Sequence, residues 1–294
     1  MGWTKFIAAC RDPSDKALGW LLLAPAMLLI AAIVLYPIGR LFWNSFFDLQ
    51  LSGGSAVNFV GLAQYKKLFA DADFWYATWT TFLFTIITVP GALLVGMGLA
   101  LLANIPFKRR WPVRLALLLP WALPLSFTGL IFAWFFHTEY GIVNDVLVRL
   151  QGEAHMFLLR PNLAFMAICV AIIWKTSSFM AMVLLAGLQV IPKSLYEAAE
   201  VDGASKWQQF WQITLPMLKP AIIVALIFRT ITALQTFDIP YAMARNITVT
   251  LSMAIQKTTI DYLDVGYGSA MAIMMFVLSL IVSSVYLRRI ANPS

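Results

Sequence analysis

Glu197-Ala198-Ala199-Glu200-Val201-Asp202-Gly203, then nine residues to Ile213-Thr214-Leu215-Pro216, form a polar island between two strongly apolar stretches. Leu195–Val201 is rich in helix formers, and Ser194 stands where it can cap the first turn. Gly203 suits a helix C-terminus or the corner between two short helices, because glycine alone enters the left-handed region freely. Beyond it, Trp207, Phe210, Trp211 and Leu215 recur as a helical stripe. Pro216 and Pro220 are expected to close this second helix where the next apolar span begins. The expected element is helix, glycine corner, helix, lying against a membrane. An interfacial amphipathic connector has the same composition.

The rest of the chain supports a membrane setting. Of 294 residues, 61% are hydrophobic and only 12% charged; mean hydropathy is +0.80, beyond soluble norms. Six runs reach the ~20 apolar residues that a hydrocarbon core requires: 18–43, 77–103, 115–135, 162–190, 220–243 and 266–287. The reading is an all-α polytopic membrane protein of six transmembrane helices in one domain, 1–294, with a loop at 191–219 holding the polar island. Pro25, Pro90, Pro120 and Pro124 interrupt spans, and their freed carbonyls need neighbouring donors. We find no internal repeat and no low-complexity linker.

Basic residues orient the chain. Lys5, Arg11 and Lys16 precede the first span; Lys108, Arg109, Arg110 and Arg114 occupy one short loop; Lys193, Lys206 and Lys219 flank the polar island; Arg288 and Arg289 follow the last span. These segments, both termini included, are expected on the cytoplasmic side, and Lys66, Arg149 and Lys257 on the other. The net charge of +7 fits this anchoring and needs no nucleic acid. The first span is too long for a signal-peptide core and lacks a small-residue cleavage site. Cys10 and Cys169 fall on a tail and within a span, so no disulfide is expected.

The spacing Glu-Ala-Ala, three residues, Gly, nine residues, Ile-x-Leu-Pro resembles the cytoplasmic coupling loop of the membrane subunits of ATP-binding-cassette importers. Leu23-Ala24-Pro25, Tyr36-Pro37, Phe59-Val60-Gly61-Leu62, Trp174-Lys175-Thr176, Lys219-Pro220 and Phe228-Arg229-Thr230 extend the likeness to the carbohydrate-uptake branch, over nearly the whole chain. The resemblance implies a type I importer fold with coupling helices, in a prokaryotic plasma (inner) membrane. It makes the chain half of a translocation pathway for a di- or oligosaccharide or related glycoside, with no catalytic residue of its own. The implied partners are a second homologous permease subunit, two ATPase subunits that use ATP and Mg, and an external solute-binding protein. Glu197, Ala198, Ala199, Asp202, Gly203, Ile213, Leu215 and Pro216 are then the ATPase-coupling residues.

Lys175 and Arg229 lie within spans, where a charge costs ~2.5–3.5 kcal/mol even on insertion scales and faces a partner or water. At 1.5 Å rise per residue, Lys175 sits about 22 Å, Arg229 about 14 Å and Asp238 about 27 Å into their spans. The two cations are thus expected to bracket Asp238, as a structural ion pair or as part of a cavity lining. Carbohydrates bind through hydrogen-bonding groups and flat apolar faces. Ser177, Ser178, Thr232, Gln235 and Thr236 offer the first; Trp174, Phe179, Phe228 and Phe237 offer the second. In the resembling family, solute contacts fall in these two windows. Trp174, Lys175, Ser177, Ser178, Phe179, Arg229, Thr232, Gln235, Phe237 and Asp238 are therefore pathway candidates.

Other signals fail. Leu51-Ser52-Gly53-Gly54-Ser55 lacks any phosphate-binding loop to serve. His137 and His155 have no zinc-ligand spacing, and Asn246-Ile247-Thr248 matches a glycosylation pattern that means nothing in a prokaryote. The competing class is an ion-coupled secondary transporter or channel using Lys175, Arg229 and Asp238 as a relay. It requires inverted repeats or broken half-helices, and the sequence displays neither. Within the importer class, cations at 175 and 229 also suit a glycerol phosphate.

Overall fold

Apolar runs of membrane-crossing length form helices, because in lipid every backbone polar group needs an internal partner. A computed structural model describes residues 15–51, 57–105, 111–245, 247 and 250–291. Lys5, Cys10, Arg11, the turn at 52–55, Lys108–Arg110, Asn246 and Thr248 lie outside the described residues.

Helix α1 runs through Asp15–Ile30, a π turn at Ala31–Leu35, and Tyr36–Asn44. A two-stranded antiparallel ribbon, β1 (Phe47–Asp48) with β2 (Asn58–Phe59), pairs Phe47 with Phe59. Then follow α2 (Ala63–Ala70), α3 (Ala72–Asn104), α4 (Trp111–Ala122), α5 (Leu125–Phe135), α6 (Ile142–Gln151), α7 (Pro161–Val190) and α8 (Lys193–Val201). Helix α9 starts at Lys206, passes a π turn at Phe210–Thr214 and ends at Leu234. Short helices α10 (Asp238–Ala244) and α11 (Leu251–Gln256) lead towards α12 (Val265–Ala291). Among the described residues five helices are long and apolar enough to cross a membrane, six if the bent pair α4–α5 counts as one span.

Three expectations are corrected here. The third span is not one rod over 115–135: α4 and α5 meet at 96°. Pro124 disfavours helical backbone at Leu123 and is itself extended, at φ −58° and ψ 144°. The second coupling helix does not close at Pro216 either. It continues into the span as one 29-residue helix, Lys206–Leu234. The π turn ends two residues before Pro216. Widening the preceding turn relieves the clash between a proline ring and the carbonyl four residues back. The π turn of α1 stands in the same relation to Pro37. The fifth span ends at Leu234 rather than near Met243, and Gln235–Phe237 leaves the helix before α10.

The chain divides into two compact units. One holds the described residues up to Leu68 together with Thr258–Ile273; in it Gly266 packs so tightly on the Phe47 carbonyl that no side chain fits. The other holds Phe69–Lys257 and the residues from Met274 on. Its pillar is α7, apposed to α3 through a small-residue stripe of Ala92, Gly96, Ala100 and Ala103. With no solvent-driven hydrophobic term between helices in lipid, such stripes let backbones approach and gain dispersion contacts. Gly129 plays the same part between α5 and α10, where an added Cβ would stand 2.6 Å from the Ala242 Cβ.

Candidate functional site

The polar island folds into a corner fixed at every backbone joint. Helix α8 ends at Asp202, and Gly203 takes the left-handed φ of +79°. The Ala204 amide then donates to the Ala199 carbonyl (2.8 Å) and the Gly203 amide to Glu200 (3.1 Å), a closure of the Schellman kind. One residue later, Ser205 caps α9 through a capping box. Its Oγ accepts from the Gln208 amide, while its own amide donates to the Gln208 side chain at 2.8 Å.

Side chains brace the corner from two directions. Lys206 Nζ pairs with Glu200 across the bend, and the Tyr196 and Thr214 hydroxyls meet at 2.9 Å, tying α8 to the π turn. The Glu200 carboxyl is held below the usual carboxylate range, first by its hydrogen bond to Lys206 and then by that cation's charge. A depressed carboxylate pKa keeps the pair intact at neutral pH and releases it only as acid protonates Glu200. Ser194 does not cap α8; Pro192 occupies the N-cap position and no side chain caps it.

Glu197, Ala198, Asp202, Gly203 and Pro216 are exposed, and Ala199, Ile213 and Leu215 half-buried. Glu197 forms no ion pair among the described residues. Trp207 and Trp211 are 68% and 50% exposed, with ring centroids 5.5 Å apart. A groove of about 860 Å³ runs beside them, lined in part by Leu101, Asn104, Leu188, Tyr196, Glu197 and Phe210. The corner thus presents an exposed carboxylate, Glu197, and two exposed aromatic rings beside a groove.

The interior differs from expectation. Lys175 and Arg229 do not bracket Asp238, and neither is ion-paired to a carboxylate among the described residues. Buried Lys175 instead donates to the carbonyls of Pro120 (2.7 Å), Trp121 (2.7 Å) and Leu123 (2.5 Å), at the end of α4. Arg229, also buried, reaches Thr232 Oγ1 (3.2 Å) and Thr88 Oγ1 on α3 (3.3 Å), and its Nε has no partner. Ser177 and Ser178 are buried; Ser177 bonds the Trp174 carbonyl at 2.9 Å. Asp238 is half-buried, and Phe237 stacks on Tyr241 at 4.9 Å.

What stays open is Trp174, Phe228, Thr232 and Gln235, all exposed, with half-buried Phe179 beside Phe228 at 6.5 Å. These form a smaller set than the two sequence windows, with the flat faces and hydrogen-bonding groups that a sugar needs. Sequence reading missed Thr88, whose only hint was its place in a run of threonines on α3 (Thr78, Thr81, Thr85, Thr88). It also missed the buried Asn144, which ties the His137, Thr138 and His155 carbonyls together outside α5. No cluster of His, Cys, Asp or Glu among the described residues could hold a metal.

Residues 92–289 match the model of one protein family, the binding-protein-dependent transport system inner membrane component. The chain belongs to this family of ABC transporter permeases. The permease is 59% identical over 290 residues to the sulfoquinovosyl glycerol transport system permease protein of Agrobacterium fabrum, covering 97% of this chain and 93% of that one. It is 38% identical to the trehalose/maltose transport system permease protein of Thermococcus litoralis, over 93% and 94% of the two chains. Its fold is that of a bacterial alginate ABC transporter solved with an alginate pentasaccharide-bound periplasmic protein. The TM-score is 0.79 at 21% identity, over 98% of this chain and 96% of that one.

The permease is thus the non-catalytic, multi-pass membrane component of a binding-protein-dependent importer for a sugar or glycoside. It works within an ABC transporter complex of binding protein and partner subunits. The ion-coupled relay falls with this membership, although the structure does contain a bent helix pair, α4–α5, that the sequence did not reveal.

Proposed function

We propose that this permease forms half of an ATP-driven pathway for a glycoside of an acidic sugar, of the sulfoquinovosyl glycerol kind. Its partners are a second, similar permease, two ATPase subunits that use ATP and Mg, and an external binding protein that delivers the solute. The cargo reading is carried by the 59% identity to the Agrobacterium permease, against 38% to the trehalose/maltose protein. Two in-span cations without a carboxylate partner among the described residues support it, because their net positive charge favours an anionic solute.

The coupling reading rests on the braced α8–α9 corner. ATPase closure pushes the corner, and α9 carries the push without interruption from Lys206 to Leu234, roughly 43 Å at 1.5 Å per residue. Rocking of the two permeases then exchanges inward-facing for outward-facing states. Thr232, in the last turn of the same helix, and Gln235, just past its end, face the solute. Gln235→Ala is expected to lower uptake several-fold at unchanged abundance, whereas Ser177→Ala leaves uptake within about twofold. Equal effects from both would remove Gln235 from the pathway.

Cargo is tested by ATP hydrolysis of the reconstituted complex with its binding protein loaded with sulfoquinovosyl glycerol, trehalose or glycerol phosphate. Stimulation by the first alone is expected. Stimulation by trehalose without sulfoquinovosyl glycerol overturns the assignment. Orientation is tested by an impermeant thiol reagent on single cysteines. Position 207 should label only from the cytoplasmic side, and positions 66, 149 and 257 only from outside. External labelling at 207 reverses the topology and removes the corner from the ATPases.

A further inference from the structure

The break between α4 and α5 leaves backbone carbonyls without intrahelical partners inside a span, where each orphaned group is costly. The negative end of the α4 dipole points into the same place. One side chain answers both needs. Lys175, from the middle of α7, delivers an ammonium with three N–H donors to three carbonyls, those of Pro120, Trp121 and Leu123, all within 2.7 Å. Its donors are then fully used, and none is left for a solute.

The surroundings give this contact mechanical meaning. Helix α4 packs on α7, whereas α5 packs chiefly on α10, the short helix beyond the second break at Gln235–Phe237. Gly129 makes that packing close: a Cβ there would meet the Ala242 Cβ at 2.6 Å and the Ile239 carbonyl at 3.2 Å. The third and fifth spans are therefore each divided, and their outer pieces, α5 and α10, are packed as a pair. Helix α7 passes both breaks without interruption from Pro161 to Val190.

We propose that Lys175 is a positioning residue for transport. By binding the carbonyls at the end of α4, its ammonium holds the α4–α5 elbow, so that the α5–α10 pair keeps its place beside the solute path while α4 and α9 follow the coupling corner. Lys175 acts through the elbow and does not touch the solute. The inference rests on the permease family and not on the identity of the cargo.

The test measures the elbow itself. Spin labels at Leu115→Cys on α4 and Trp134→Cys on α5 are introduced into the assembled complex, with Cys10 and Cys169 replaced by alanine. A straight helix would separate positions 115 and 134 by roughly 28 Å at 1.5 Å per residue; the elbow brings them about a third closer. Lys175→Met should broaden and lengthen the distance distribution and cut uptake per assembled complex at least tenfold. Lys175→Arg, which keeps the charge and carries five donors, should keep the short distance and restore at least half the uptake. Pro124→Ala, with Lys175 present, should leave the distance unchanged. If Lys175→Met does not accumulate, Lys175→Gln takes its place, and a distribution between the two extremes is expected. A wild-type distribution in the Met or Gln variant overturns the proposal. So does a lengthened distribution with full uptake per complex, which would reduce Lys175 to a structural contact. Sulfoquinovosyl glycerol is the uptake probe. A wild-type complex that fails to carry it removes the cargo assignment and leaves the distance measurement to decide the elbow.

Discussion

Gly203→Pro is expected to cut uptake per assembled complex by at least about tenfold, while the protein still inserts and still binds its ATPases. Proline fixes φ near −65°, and residue 203 sits at +79°. The substitution also removes the amide that donates to Glu200 at 3.1 Å. The corner must therefore reopen, and the capping box at Ser205 would meet a chain arriving from the wrong direction. Gly203→Asn is the control: asparagine visits the left-handed region more readily than other side chains, most of which pay ~1–2 kcal/mol there. No neighbouring atom lies within 4 Å of a Cβ at this position, so the Asn side chain finds space. Asparagine should retain most uptake. Glu197→Lys, by contrast, leaves the corner's internal bonds intact and reverses the charge of an exposed, unpaired carboxylate. It should leave ATP hydrolysis running and lower the transport it drives. Normal uptake by Gly203→Pro with ATPases bound would dispose of the lever.

The corner was legible because its devices are local. A helix-forming run, one glycine and an aromatic stripe are neighbours in sequence; the cap was misplaced, expected at Ser194 and found at Ser205. The long apolar helices were legible for a similar reason, since apolar length alone announces them, though not the bend in the third or the early end of the fifth. Lys175 was not. Its acceptors are backbone carbonyls more than fifty residues upstream, and a carbonyl has no letter in a sequence. Charge pairing made Asp238 the natural partner; a break in α4–α5 offered a better one. Arg229 shows the same blindness at longer range, its α3 contact being a threonine hydroxyl 141 positions away. The end of α9 escaped for a different reason. Pro216 reads as a terminator, and only the π turn ahead of it lets the helix run on.

A valine at Gly96 is expected to destabilise the permease more than any other single change on α3, by about 3 kcal/mol, the upper range for overpacking a tight core. The first added carbon would stand 2.5 Å from the Met180 Cβ and 3.0 Å from the Ser177 carbonyl. Neither atom is the far end of a flexible side chain, so α3 and α7 must separate. Two turns along α3 from this contact, Thr88 receives Arg229, and Lys175 stands on the facing stretch of α7. Parting the helices at Gly96 therefore shifts Thr88 on α3 and Lys175 on α7 against the α9 and α4 groups that they bind, in a setting where an unpaired cation is costly. Gly98 serves as the comparison, because a Cβ there meets nothing within 4 Å. Gly98→Ala should hold or slightly raise stability, as alanine outranks glycine in a helix by ~1 kcal/mol. Thermal unfolding of the detergent-solubilised protein reads both. If Gly96→Val melted with the wild type, close approach of α3 and α7 would not be what holds the pillar.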